Sequence, residues 1–249
     1  DMQGKLSRAN ATRVHRYLPL VLDASARHYV RDAVQAGSAS SVLFKVKGDL
    51  WNMPFADART GEFMITAQIS DATLAYVPLS LQPVNARPWP AATRLSGELV
   101  IDRESLKVNG ARGALVGVPT LQVIRADAVI ADLANHSVVA VTLDARGPLT
   151  DMLGFVTSSP LASMAPPTLS SVSGSGNADL RLKLEVPLED PDRTRVQGTV
   201  VLQGNDLQVA PDLPRLLRAR GTVGFTEAGF SVAGVQARFV FFVAEAADA

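Results

Sequence analysis

Three histidines, a Ser-Gly run, a glycine cluster and an acidic cluster are the places in this 249-residue chain where chemistry could reside. Imidazole is the usual proton shuttle and metal ligand near neutral pH, but a zinc site needs three or four ligands that converge. His15 and His28 lie in or before a helical stretch and have no second ligand at four-residue spacing. His136 stands at a strand start, the place of a solvated turn residue. The chain has no cysteine, which excludes thiolate metal sites, disulfides and cysteine nucleophiles. Ser173-Gly-Ser-Gly176 lacks the flanking pattern of a nucleophile elbow. Gly110, Gly113 and Gly117 open no helix, so they form no phosphate-binding loop. Glu189-Asp190-Pro191-Asp192 offers carboxylates to a calcium ion, yet its position between two strands reads as a charged turn. We expect no catalytic residue, no metal and no cofactor: the chain is not read as an enzyme.

The elements around these residues point the same way. Lysine plus arginine equal aspartate plus glutamate at 24 each, so no charge imbalance favours nucleic acid or an acidic membrane surface. Hydrophobic residues make up 47% and charged residues 19%, enough apolar material for a broad buried face. No apolar run reaches the ~18–20 residues a spanning helix needs. Asp1-Met2-Gln3-Gly4-Lys5 is followed by no hydrophobic region, and the chain reads as a piece of a longer protein. Between Pro19 and Val34 the apolar residues Leu22, Ala26, Tyr29, Val30 and Ala33 recur at three and four residues, predicting an amphipathic helix stopped at Gly37. Leu149, Met152, Leu153 and Val156 predict a second, short helix.

Almost everything else alternates with a period of two. In Ala178–Leu188, Leu180, Leu182, Leu184 and Val186 face one way and Asp179, Arg181, Lys183 and Glu185 the other, as in an antiparallel strand with one wet face. Ser41–Leu50, Glu62–Ser70, Thr73–Val77, Leu121–Leu133 and Val138–Ala145 read as similar strands. The Ser-, Pro- and Gly-rich residues 158–177 read as a connection between a first section, 1–157, and a second, 178–249; the two sections are also readable as one continuous domain.

A repeat supplies the strongest internal signal. Gly97-Glu-Leu-Val-Ile-Asp-Arg-Glu-Ser-Leu-Lys-Val108 returns from Gly198 to Val209 and from Gly221 to Val232, with apolar residues two, four, nine and eleven places after each glycine. A hairpin with a four-residue loop sets Ile101 against Leu106, Leu99 against Val108, Leu202 against Leu207, Val200 against Val209, Phe225 against Phe230 and Val223 against Val232. Opposed residues share a face, so three hairpins with one apolar side each are expected. Their polar backs carry Glu98, Lys107, Thr199, Gln208, Thr222 and Ser231, and Gly61–Tyr76 reads as a looser fourth copy.

Several short motifs then fall in a familiar order. They are Tyr17-Leu18-Pro19, Ala33-Val34-Gln35-Ala36-Gly37, Gly48-Asp49-Leu50 before Pro54-Phe55, and Trp89-Pro90, followed by Ser159-Pro160-Leu161, Val186-Pro187-Leu188 and Gly221 to Phe225. From about Tyr17 to Phe239 this order resembles the YhdP-type branch of the AsmA-like envelope proteins of Gram-negative bacteria. The resemblance implies a mostly β fold: a curved antiparallel sheet forming a groove, with an N-terminal amphipathic helix and one short helix. It implies phospholipid as partner, moved between inner and outer membrane, and a periplasmic location, with anchorage in the inner membrane through a helix absent from this chain. A lining of acyl chains is then expected from Leu99, Ile101, Leu106, Val108, Leu180, Leu182, Leu184, Val200, Leu202, Leu207, Val209, Val223, Phe225, Phe230 and Val232. Hiding a 16-carbon tail from water is worth on the order of 12 kcal/mol at ~0.8 kcal/mol per CH₂, so a carrier needs an apolar lining and no catalyst. Cut sheet edges, worsened by the apolar Phe239–Val243, are expected to favour self-association. The family pattern calls for another strand where Ala244–Ala249 stand. The alternative is a structural or assembly β-sandwich whose apolar face is an ordinary packed core without lipid.

Overall fold

A computed structural model describes residues 1–18, 24–135, 137–164, 167–190 and 193–239. One mixed-length, wholly antiparallel sheet dominates it. Its strands are β1 (Met2–Asn10), β2 (Val34–Gly48), β3 (Gly61–Leu74), β4 (Ala92–Asp102), β5 (Ser105–Leu115), β6 (Val118–Ile130), β7 (Val138–Pro148), β8 (Ser173–Ser175), β9 (Asn177–Pro187), β10 (Arg195–Gln208), β11 (Leu216–Thr226) and β12 (Gly229–Phe239). They are ordered β1-β2-β3-β4-β5-β6-β7-β9-β10-β11-β12, and short β8 pairs with the end of β10. The connection between β7 and β9 leaves the sheet unbroken, because Val138–Pro148 pairs with Asn177–Pro187 without a register shift. The expected mostly β fold is therefore present.

Three helices flank one end of the sheet: α1 (Ala24–Ala33), α2 (Leu149–Ser158) and the single turn α3 (Leu161–Met164). The second helix stands where its apolar stripe places it. The first differs at both ends. Its start at Pro19 lies outside the described residues, and Val34 is already in β2. Gly37 is no helix stop; it sits inside β2 at φ 122°, against the backbone of Ala72.

Two of the three expected hairpins form. Leu99 faces Val108 and Ile101 faces Leu106 between β4 and β5, and Val223 faces Val232 and Phe225 faces Phe230 between β11 and β12. The copy from Gly198 to Val209 does not form: it runs as one strand, β10, with Val200 between Leu180 and Val223 and Leu202 between Ala178 and Gly221. Pairing on both sides supplies more ladder bonds than a hairpin would. The apolar spacing survives because a bulge at Gly204 (φ 114°) adds one residue to β10, which returns Asn205 and Leu207 to the face of Leu202. The looser copy, Gly61–Tyr76, is likewise no hairpin: Gly61–Leu74 is the one strand β3, broken in register near Asp71 (φ 50°), and Thr73–Val77 is no separate strand. The strand β1 escapes the periodicity entirely, since its mostly polar, exposed residues are extended only by pairing with β2.

The sheet curls toward its apolar side. Gly37, Gly97, Gly147 and Gly221 all belong to that side, and an added Cβ on each would stand 2.7–2.9 Å from the Cα of Ala72, Ala111, Leu121 and Val235 on the neighbouring strand. A flat sheet keeps neighbouring strands about 4.8 Å apart with the Cβ pointing clear of them. Here each neighbour folds over the glycine, at or beside a break in the register. Left-handed residues at Ser41, Asp71, Arg94, Gly110, Gly204, Arg218 and Gly234 put a bend into seven strands. Bulges of this kind give a sheet its curvature.

Candidate functional site

Residue-by-residue register builds the apolar face strand by strand. One row runs Phe44–Ile65–Ile101–Leu106–Ile130–Val139–Val186 from β2 to β9. The next runs Ala67–Leu99–Val108–Ala128–Val141–Leu184–Val196. A third runs Ala126–Leu143–Leu182–Gly198–Phe225–Phe230, and a fourth Ala145–Leu180–Val200–Val223–Val232. These four rows contain no titratable side chain. The rows reach from β2 to β12, ten strands and nine steps of about 4.8 Å, so the face is roughly 43 Å long across the strands.

Glycines opposite aromatic residues smooth it. The ring of Phe44 lies over Gly4 and that of Phe225 over Gly198, where a Cβ would collide with the ring. Phe55, fully buried, lies in the same way over the Gly48–Gly61 pair at the rim farthest from the helices.

Cover distinguishes two regions of this face. At the helical end α2 lays Leu149 and Met152 on Leu121, Ala145, Ala178, Leu202 and Ala219, and all seven are buried. Beyond α2 the row residues are half-buried apart from Ala67 and Gly198, which are buried, and Phe230 and Val232 are 50% and 66% exposed at the sheet margin. Of the fifteen residues singled out from sequence, twelve fall in the four rows. Leu202 lies under α2 at 5% exposure, Leu207 packs beside it, and Val209 lies past the end of β10. The pairings Leu202–Leu207 and Val200–Val209 are thus corrected. Sequence reasoning left out Phe44, Ile65, Ile130, Val139, Val141, Leu143 and Val196. Their strands alternate legibly, but only the register shows that they share the face.

The opposite face is charged. Lys45 pairs with Glu62 at 2.8 Å, Arg125 with Asp127 at 2.7 Å and Arg146 with Asp179 at 2.5 Å. Gln208 is not a free back-face residue, since its amide donates to the carbonyls of Ala210 and Leu213. Hydrogen bonding to Arg146 holds the Asp179 carboxyl below its usual range, as Arg125 does for Asp127. A carboxylate depressed on folding adds stability above its unfolded pKa and loses it as pH falls through the folded value. Asp179→Asn should therefore lower the melting temperature slightly at pH 7, and the difference should vanish in acid below the carboxylate range; solvent screening keeps the effect small.

The remaining candidates for chemistry are placed apart. His15 Nδ1 lies 3.0 Å from the Thr12 carbonyl oxygen, and His136 lies outside the described residues. Asp190 pairs with Arg193 in the turn between β9 and β10, and Gly110 donates its N–H to Asp127 inside β5. Among the described residues no group of three or more metal-ligating side chains converges, and no helix is long and apolar enough to cross a membrane.

Residues 1–241 match the family described as YhdP protein. The intermembrane phospholipid transporter YhdP of Escherichia coli (strain K12) is 25% identical over 185 residues, which is 74% of this chain and 13% of the relative. The chain thus spans only a small part of that relative's length. No solved structure matches it. The chain belongs to the YhdP family.

Proposed function

We propose that this section of a YhdP-family protein is a non-enzymatic lipid conduit, in which the open part of the apolar face takes up the acyl chains of a phospholipid. One observation carries the reading: four consecutive rows stay apolar over most of the sheet, while the described helix that lies on this face, α2, covers its helical end, reaching Ala145 and the flank of Leu180, Val200 and Val223 in the fourth row. A sandwich core of this size would be buried against a second layer. A curved sheet that exposes such a face needs something apolar to fill it. The Escherichia coli relative, an intermembrane phospholipid transporter, supplies the chemistry for this reading, phospholipid carried between membranes. In this reading the chain works in the periplasm, within a longer protein held in the inner membrane by a helix outside this sequence. The charged back, with its ion pairs, faces water.

The test is direct. Photo-reactive side chains at Leu182 and Phe225 should form adducts with phospholipid in cells, and those at Lys183 and Gln197, on the opposite face, should not. Equal labelling of both faces, or none at Leu182 and Phe225, rejects the conduit.

A further inference from the structure

We infer that α2 is a fixed stop which ends the lipid-accessible part of the apolar face and so limits the acyl chain that fits there. This inference rests on the conduit reading. The face does not end where α2 begins: Leu202, Ala145 and Ala178 continue the same columns of β10, β7 and β9 beneath the helix. There they are buried, because Leu149 and Met152 occupy the place an acyl chain would take.

Several polar ties hold the stop in place. Leu149 N, the first amide of α2, donates to the Gly176 carbonyl at 2.8 Å. That turn is gripped by Asn205, only 1% exposed, whose amide donates to the carbonyls of Ser175 at 2.9 Å and Asn177 at 3.1 Å. Its Oδ1 accepts from Gln203 N at 2.9 Å. A buried amide with donors and acceptor all satisfied fixes geometry, since any shift strands a polar group. Thr120 of β6 donates to Asp151 in the first turn of α2. At the other end Arg87 donates to the Thr157 carbonyl at 2.6 Å, tying the helix to residues 75–91. A gate that opened freely would not be pinned to β6, to the turn before β9 and to a distant loop together. The bulge at Gly204 is what turns Asn205 toward this turn, so the irregularity in β10 acquires a role.

The experiment thins the stop. The full chain, wild type and Leu149→Ala/Met152→Ala, is purified without detergent after in vivo labelling from a photo-reactive side chain at Leu182, and its lipids are analysed by mass spectrometry. The expected result is a Leu182 adduct in both proteins and a shift of the bound acyl chains to longer species in the variant. Circular dichroism confirms that the sheet persists; if the double variant fails to fold, Met152→Ala alone carries the comparison. Adducts in both proteins with an unchanged chain-length distribution overturn the stop and leave the conduit standing. No adduct in either protein overturns the conduit, and the stop with it.

Discussion

Leu182→Asp should leave the protein folded and empty it of lipid, whereas Leu202→Asp should unfold it. The two leucines lie on the same face, in neighbouring strands, and differ in what covers them. Leu182 is half-buried in the open rows, so an aspartate there keeps part of its hydration, and the loss should be about 1 kcal/mol. Leu202 is 5% exposed, packed with Leu149 and Met152. An aspartate there loses the leucine contacts and strands an uncompensated charge, about 4 kcal/mol or more. Urea unfolding measures both, and lipid recovered with the protein measures function. If Leu182→Asp also unfolds the chain, the open rows are a core like that under α2, and the assembly-module reading takes the conduit's place. If Leu182→Asp folds and still carries lipid, the lining is assigned to the wrong residues.

That contrast marks what the residue pattern could and could not reveal. Alternation in Ala178–Leu188 fixes which side chains share a face, because period two is a property of each strand alone. The hairpins β4–β5 and β11–β12 were legible for a similar reason: their partners are separated by one short turn. Cover is a different matter. Nothing in Leu180-Arg-Leu-Lys-Leu184 distinguishes a leucine under a helix from one facing outward. The position of α2 depends on contacts with β6, β7 and β8, which lie at very different distances along the chain. The Gly198 copy shows the converse failure. Its apolar residues obey the hairpin spacing, yet a one-residue bulge reproduces the same spacing in one continuous strand, and long-range pairing with β9 and β11 decides between the two. Polar β1 carries no local signal at all.

Curvature is the property on which the trough depends, and Gly97→Ala and Gly147→Ala should each remove it. Neither glycine has a left-handed backbone, so alanine is conformationally allowed at both; only space forbids it. The added methyl at position 97 would stand 2.9 Å from the Cα of Ala111, and at position 147 would stand 2.9 Å from both the Cα of Leu121 and the Thr120 carbonyl oxygen. Those are backbone atoms, which cannot swing aside as a side chain does. The strands must separate, flattening the sheet at that level, at about 2 kcal/mol or more. Gly147→Ala should cost more, because its clash lies in the packed region beside Leu121, which α2 covers. Gly221→Ala adds a second term, since its φ of 143° disfavours any side chain. Gly154, inside α2 with nothing within 4 Å, is the control: alanine there should stabilise the protein by about 0.5–1 kcal/mol through helix propensity. Urea midpoints at constant slope separate these outcomes. Equal stability of Gly97→Ala, Gly147→Ala and Gly154→Ala would mean that the sheet tolerates flattening, and that the curl toward the apolar side comes from the bulges alone.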